Sequence, residues 1–136
     1  MPLIQRLQTT TLRWQGRLAL LLNLPERALA CFEAINALVP DDLHALASRA
    51  QVEDRLGRAE RALELQRELT RRAPQQASAW FNLGFMLEKA ELLEEALLSF
   101  REATRLSPAL DRAWYGQGLV LIRLRRFDEA VEALRK

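Results

Sequence analysis

Apolar residues recur three and four positions apart along this chain, in short stretches broken by prolines and polar clusters. The stretch from Ser78 to Lys89 carries Trp80, Leu83, Phe85 and Leu87. The next, from Leu93 to Leu106, carries Ala96, Leu97, Phe100, Ala103 and Leu106. Such spacing lays one apolar stripe along a helix of 3.6 residues per turn. Pro108 then ends the second stretch, because it has no amide hydrogen and clashes with the preceding turn. The predicted unit is two helices joined by a short turn. Gly57 supplies that turn in an earlier unit. Pro25 opens a helix at a position where its missing N–H costs nothing.

The unit repeats every 34 residues. Pro40, Pro74 and Pro108 fall in register, as do Ala28, Ala62, Ala96 and Ala130. A small series runs Gly16, Ala50, Gly84, Gly118, and a bulky one Leu12, Leu46, Trp80, Trp114. Four independent series at one spacing define repeats at 9–42, 43–76, 77–110 and a truncated 111–136, with residues 1–8 as an N-terminal cap or extension. The small residues have a physical reason: two antiparallel helices approach closely only where side chains are short. The bulky residues then fill the space around the crossing.

Composition narrows the function. Of 136 residues, 49% are hydrophobic and 28% charged, which suits a packed domain and not a disordered one. Five Gly and five Pro are too few for a many-stranded β protein. One Cys excludes a disulfide framework, and one His excludes two-histidine metal motifs, so no metal or cofactor is expected. The net charge of +2 gives no reason to expect nucleic acid. Nearly all basic residues are Arg, a skew that fits a GC-rich, bacterial genome. The longest apolar run, Leu18 to Leu22, is far too short to cross a bilayer, and no leader pattern opens the chain. The expectation is a cytoplasmic protein with no membrane partner. His44 beside Asp42 reads as an exposed polar residue and Cys31 as small packing filler. No nucleophile motif and no glycine-rich phosphate loop is present, so catalysis is not expected.

The repeat resembles the tetratricopeptide repeat, whose signature runs W-x2-L-G-x2-Y, then A-x3-F, A and P. Residues 77–110 match it at Trp80, Leu83, Gly84, Ala96, Phe100, Ala103 and Pro108, with Leu87 in place of Tyr. Residues 43–76 depart most: Arg49, Ala50 and Glu53 replace Leu, Gly and Tyr, and Gln66 replaces Phe. Pentatricopeptide repeats usually run to 35 residues and HEAT-like repeats are longer, so both fit the period less well. The resemblance implies an all-α, right-handed superhelical solenoid of antiparallel helix pairs, about 3.5 repeats here. Its first helices line a concave groove for partner peptides.

Carried onto this chain, the groove positions that the resemblance implies include Arg13, Trp14 and Arg17 in the first repeat and Ala47, Gln51 and Arg55 in the second. In the third they include Phe81, Asn82, Phe85 and Lys89, and in the fourth Arg112, Tyr115, Gly116, Leu119, Ile122 and Arg123. Phe81, Phe85, Tyr115 and Leu119 either form an apolar floor for a ligand or pack on neighbouring first helices. Asn82 carries both donors and an acceptor and so suits a peptide backbone. Lys89, Arg112 and Arg123 favour an acidic or C-terminal carboxylate ligand and the aromatic floor an apolar one, so the expected partner is an acidic or apolar protein or peptide. The carboxylate clamp of some chaperone-binding members is absent, since Ala47, Gln51 and Gly116 fill its slots.

Repeat four stops with Phe127, Val131 and Leu134 still forming an apolar stripe. An uncovered stripe on a terminal repeat predicts homo-oligomerisation through it or further chain in a longer parent. The function expected is a non-catalytic scaffold or adaptor that binds a partner peptide in its groove. The alternatives are a self-assembling structural module and a regulatory domain of a larger protein.

Overall fold

A computed structural model describes residues 2–136. Among them are eight helices: α1 (Leu3–Leu21), α2 (Pro25–Leu38), α3 (Leu43–Arg55), α4 (Ala59–Arg72), α5 (Ala77–Lys89), α6 (Leu93–Leu106), α7 (Asp111–Arg123) and α8 (Phe127–Leu134). The described residues contain no strand. The chain is an all-α repeat fold of helix pairs. It divides into two compact units, Met1–Leu65 and Gln66–Lys136, and the boundary falls inside α4.

The turn inside each pair has one design. A residue with positive φ follows each first helix: Asn23 (57°), Gly57 (78°), Glu91 (64°) and Arg125 (62°). The next amide then reaches back to a carbonyl five residues earlier, Leu24 to Ala19 at 2.7 Å, Arg58 to Glu53 at 3.0 Å, Leu92 to Leu87 and Arg126 to Leu121 at 2.9 Å. This bond satisfies an otherwise unpaired carbonyl at the helix end. These four residues are 34 apart, a series hidden in the sequence because only one member is Gly. At Glu91 and Arg125 the left-handed backbone costs about 1–2 kcal/mol that Gly would not incur.

In unit 1, α2 packs on both α1 and α3. Ala28, Phe32, Ile35, Ala45 and Val52 form its buried centre. Phe32 lies so close to α1 that a Cβ on Gly16 would stand 2.9 Å from its ring. Asp42 caps α3 by accepting the Ala45 amide at 2.9 Å, and it also accepts from Arg13 of α1 at 2.7 Å. Residues 3–8 continue α1 as one helix, and their Leu3, Ile4 and Leu7 remain exposed.

In unit 2, α6 packs on α5 and α7, α7 on α8, and α5 touches α7. Phe100 of α6 is fully buried at the centre. A Cβ on Gly84 of α5 would lie 2.9 Å from its ring, and one on Gly116 of α7 would lie 2.8 Å away. The ring thus occupies a slot made by two glycines on two different helices. Trp80 and Trp114 are half-buried, and each indole N–H donates to the carbonyl of the proline six residues earlier, Pro74 or Pro108, at 2.9 Å.

The motif departures at 43–76 have a physical signature. Arg49 Nε, Glu53 Oε2 and Gln66 Oε1 are buried with no hydrogen-bond partner among the described residues. Their other atoms are served. Arg49 donates to Asn36 Oδ1 at 3.1 Å, Glu53 accepts from Arg58 at 3.4 Å, and Gln66, in the Phe slot, donates to Ala79 O at 2.9 Å. On the outer surface, Arg67 pairs with Glu95 at 2.9 Å and Arg101 with Glu129 at 2.8 Å, one repeat on. Arg67 therefore links α4 to α6 and does not pair along its own helix with Glu64, as helix spacing alone suggests.

Two outcomes follow from this packing. Gly116→Ala drives a methyl into the Phe100 ring and is expected to cost about 1–3 kcal/mol in urea unfolding. Phe100→Leu is expected to recover part of that loss in the double variant, because the two sites share one contact. At Asp42, burial raises the carboxyl's pKa, but the Arg13 hydrogen bond, the Ala45 amide and the Arg13 charge together bring it below its ordinary value. A depressed carboxylate stabilises the fold above its unfolded pKa of about 3.9 and loses that contribution as pH falls through the folded value. Asp42→Asn keeps the cap and weakens the Arg13 bond, so it should cost about 1 kcal/mol at neutral pH. That gap from the parent protein should close on acidification below about pH 4.

Candidate functional site

Every residue singled out for the groove in repeats three and four lies on α5 or α7, within unit 2. Phe81, Asn82, Phe85 and Lys89 follow one another on α5 at helical spacing, and Arg112, Tyr115, Leu119 and Arg123 do so on α7. Three positions pair at the register of 34, Phe81 with Tyr115, Phe85 with Leu119 and Lys89 with Arg123, and the two helices touch.

The eight residues fall into distinct roles. Phe81 leans on Phe100, with ring centroids 5.8 Å apart and planes tilted by 53°. Arg112 covers Phe81 from above, its guanidinium carbon 4.9 Å from the ring centroid. This pair therefore extends the core outward and ends it with a charge. Phe85 and Tyr115 differ: they are 48% and 60% exposed, an unusual state for large aromatic side chains. Lys89 Nζ stands 5.2 Å over Phe85. Asn82 and Leu119 are half-buried, and the Asn82 side chain makes no hydrogen bond among the described residues.

Arg123 has partners in the fold that the sequence does not reveal. It is bound to Glu91, with Glu88 3.6 Å away. Its charge is thus neutralised within the fold and adds little attraction for an acidic ligand. The partner was legible only after the fact, because Glu91 sits in the turn 32 residues earlier. Gly116, which shares the register of Asn82, presents no groove surface because it is packed under Phe100. Ile122, 41% exposed on α7, extends the apolar surface. The face can present two aromatic rings, an aliphatic patch, an unengaged amide and two cations seated on rings.

At the far end, Phe127, Val131 and Leu134 of α8 are all exposed, although Leu134 also packs against α7. A Cβ on Gly118 would meet its Cδ2 at 2.5 Å. Another apolar surface went unnoticed in the sequence. Leu98 of α6 is exposed and, with Trp80 and Leu83, lines a groove of about 510 Å³ bordered by the Arg67–Glu95 pair. It stands in register with Glu64 and Glu132, and that contrast is the signal that could have found it. Among the described residues no group of His, Cys, Asp and Glu is placed to hold a metal, and no helix is long and apolar enough to cross a membrane.

A tetratricopeptide repeat profile matches residues 14–77 and 62–111, and a second such profile matches 111–136. No curated protein sequence matches the chain. Among solved structures, a MamA fragment from Desulfovibrio magneticus RS-1 superposes with a TM-score of 0.85 at 22% identity, over 93% of this chain and 72% of that one. A tetratricopeptide repeat protein from Parabacteroides merdae gives 0.88 at 16% identity, over 93% and 50%. YrrB, described as a tetratricopeptide repeat protein with an unusual peptide-binding site, gives 0.81 at 20% identity, over 93% and 66%. At these identities the likeness is one of fold.

The exposure of Phe85 and Tyr115 carries a stability prediction. Phe85→Ala and Tyr115→Ala should each change the unfolding free energy by no more than about 0.5 kcal/mol, as surface substitutions do. Phe100→Ala in the same assay should cost about 3–5 kcal/mol.

Proposed function

We propose that this chain, which belongs to the tetratricopeptide repeat family, is a non-catalytic adaptor that holds a partner peptide on the α5–α7 face. Repeats of this family serve in general as protein-interaction scaffolds. The observation that carries the finer reading is the exposure of Phe85 and Tyr115 on adjacent first helices, beside the unengaged Asn82 amide. Tyr is among the residue types enriched in interface hot spots, and an exposed aromatic ring still has its burial to gain on binding. The ligand that fits is a short peptide with an apolar or aromatic anchor for Phe85, Tyr115, Leu119 and Ile122. Its backbone would meet Asn82, and an acidic group would face Lys89 or Arg112. With Arg123 tied to Glu91 and Glu88, the apolar anchor contributes more than the acid.

Self-assembly through α8 is a second reading, supported by the exposed Phe127 and Val131. Service as a domain of a larger protein is a third. A repeat region of the Thermobaculum terrenum O-GlcNAc transferase superposes with a TM-score of 0.77 at 22% identity over 89% of this chain, yet that match spans only 23% of the transferase chain.

The test is selection of a displayed random-peptide library on the immobilised chain, followed by titration of enriched peptides against variants. Phe85→Ala and Tyr115→Ala should each weaken binding about 10-fold or more, and Asn82→Ala less, with helical circular dichroism unchanged. Peptides that bind the Phe85→Ala/Tyr115→Ala double variant as tightly as the parent chain would place the site elsewhere.

A further inference from the structure

Helix α1 is apolar on the side that its own unit leaves open. Ile4, Leu7, Leu18 and Leu22 are 71%, 60%, 55% and 60% exposed. With Thr11 and Gln15 they form one stripe spaced 3, 4, 4, 3 and 4, which a helix holds on a single face. Two shallow grooves flank it. One, of about 470 Å³, runs past Ile4, Leu7, Thr11 and Leu38; the other, of about 400 Å³, past Leu18, Leu22, Leu24 and Cys31. Gln15 lies on both, so the two form one trough along about 28 Å of helix.

We propose that this trough is an isologous interface in which α1 of one copy lies antiparallel on α1 of a second copy. The stripe reads apolar, apolar, polar, polar, apolar, apolar, and it reads the same reversed. Set antiparallel, Ile4 meets Leu22 of the other copy, Leu7 meets Leu18, and Thr11 meets Gln15. Every apolar residue faces an apolar one, and the polar pair faces itself twice. Thr11 already donates its hydroxyl to Leu7 O at 2.9 Å, which leaves its oxygen free to accept from the Gln15 amide of the other copy. Two-fold contact demands this kind of self-complementarity.

Charge agrees. The stripe contains no ionisable residue, and the one charged residue lining the trough is Arg27 of α2, in the groove with Leu22 and Leu24. The only charged residues of α1 are Arg6, Arg13 and Arg17, and at about 100° per residue they fall on the opposite side of the helix. Arg13 is fixed there by Asp42. Two copies can therefore approach through the stripe without bringing like charges of α1 together. A lipid surface fits less well, because it favours an unbroken apolar face and gains nothing from Thr11 and Gln15 at the middle. The interface uses neither α5 nor α7 and is independent of the peptide site.

Sedimentation of the 136-residue chain across concentration is the first measurement. The expected result is reversible dimerisation to twice 15.6 kDa. Leu7→Glu/Leu18→Glu should weaken it by at least about 100-fold, since each carboxylate would be buried unpaired, while helical circular dichroism stays unchanged. The register has its own readout. In a Cys31→Ser background, copies carrying Thr11→Cys are mixed with copies carrying Gln15→Cys and oxidised. Mixed disulfides should exceed either homodisulfide by far more than the roughly twofold excess that random pairing of equal amounts gives. A chain that stays monomeric at high concentration overturns the proposal, as does a dimer indifferent to Leu7→Glu/Leu18→Glu or one whose mixed disulfides reach no more than the roughly twofold excess of random pairing. Stripe-dependent binding to anionic vesicles by a chain that remains monomeric would assign the face to lipid and also overturn it.

Discussion

Unit 2 is organised by one steric fact: the Phe100 ring needs a slot that only two missing side chains can make. Gly84 lets α6 close on α5, and Gly116 lets α6 close on α7. The same ring gives Phe81 something to lean on. With α5 and α7 both held against α6, their outward residues fall side by side. Phe85 and Tyr115 stand on the two helices that Phe100 holds together. Unit 1 repeats half of the device, with Phe32 closing on Gly16.

A second theme is how this sequence spends its many arginines. Some end an aromatic stack, as Arg112 does on Phe81. Others tie neighbouring helix pairs across one period, as Arg67 and Arg101 do. Arg13 joins a helix face to a helix cap. Exposed pairs of this kind contribute little stability each. Their value is in register: the partners of Arg67 and Arg101 lie 28 residues on, in the next repeat, so a pair closes only when adjacent repeats are aligned.

Much of this was legible in the sequence, and for an identifiable reason. Periodicity reports what a residue type must do wherever it recurs, so the Gly84, Ala96 and Pro108 series revealed the helix pairs and the family. Pairwise chemistry between repeats is not periodic in residue type. Nothing near Arg123 in the sequence points to Glu91, and nothing at Glu91 advertises a positive φ. Exposure was equally hidden. Phe81 and Phe85 look alike on α5, yet one leans on the core and the other faces solvent. The open side of α1 was hidden because residues 1–8 read as a cap or extension of the first repeat, whereas the fold continues residues 3–8 as α1 and leaves Leu3, Ile4 and Leu7 exposed.

The three buried atoms without partners, on Arg49, Glu53 and Gln66, bear on how the chain breathes. In an array stabilised chiefly by neighbour contacts, local openings are shaped by local losses and gains. Separating helices elsewhere exposes hydrocarbon and recovers nothing. Separating them around these side chains gives water access to a guanidinium nitrogen, a carboxylate oxygen and an amide oxygen, each of which then gains a hydrogen bond. The residues that fit the repeat signature least thus lower the cost of opening where they stand. Polar atoms thus stand where the signature calls for Leu, Tyr and Phe, Arg49 and Glu53 in unit 1 and Gln66 in unit 2.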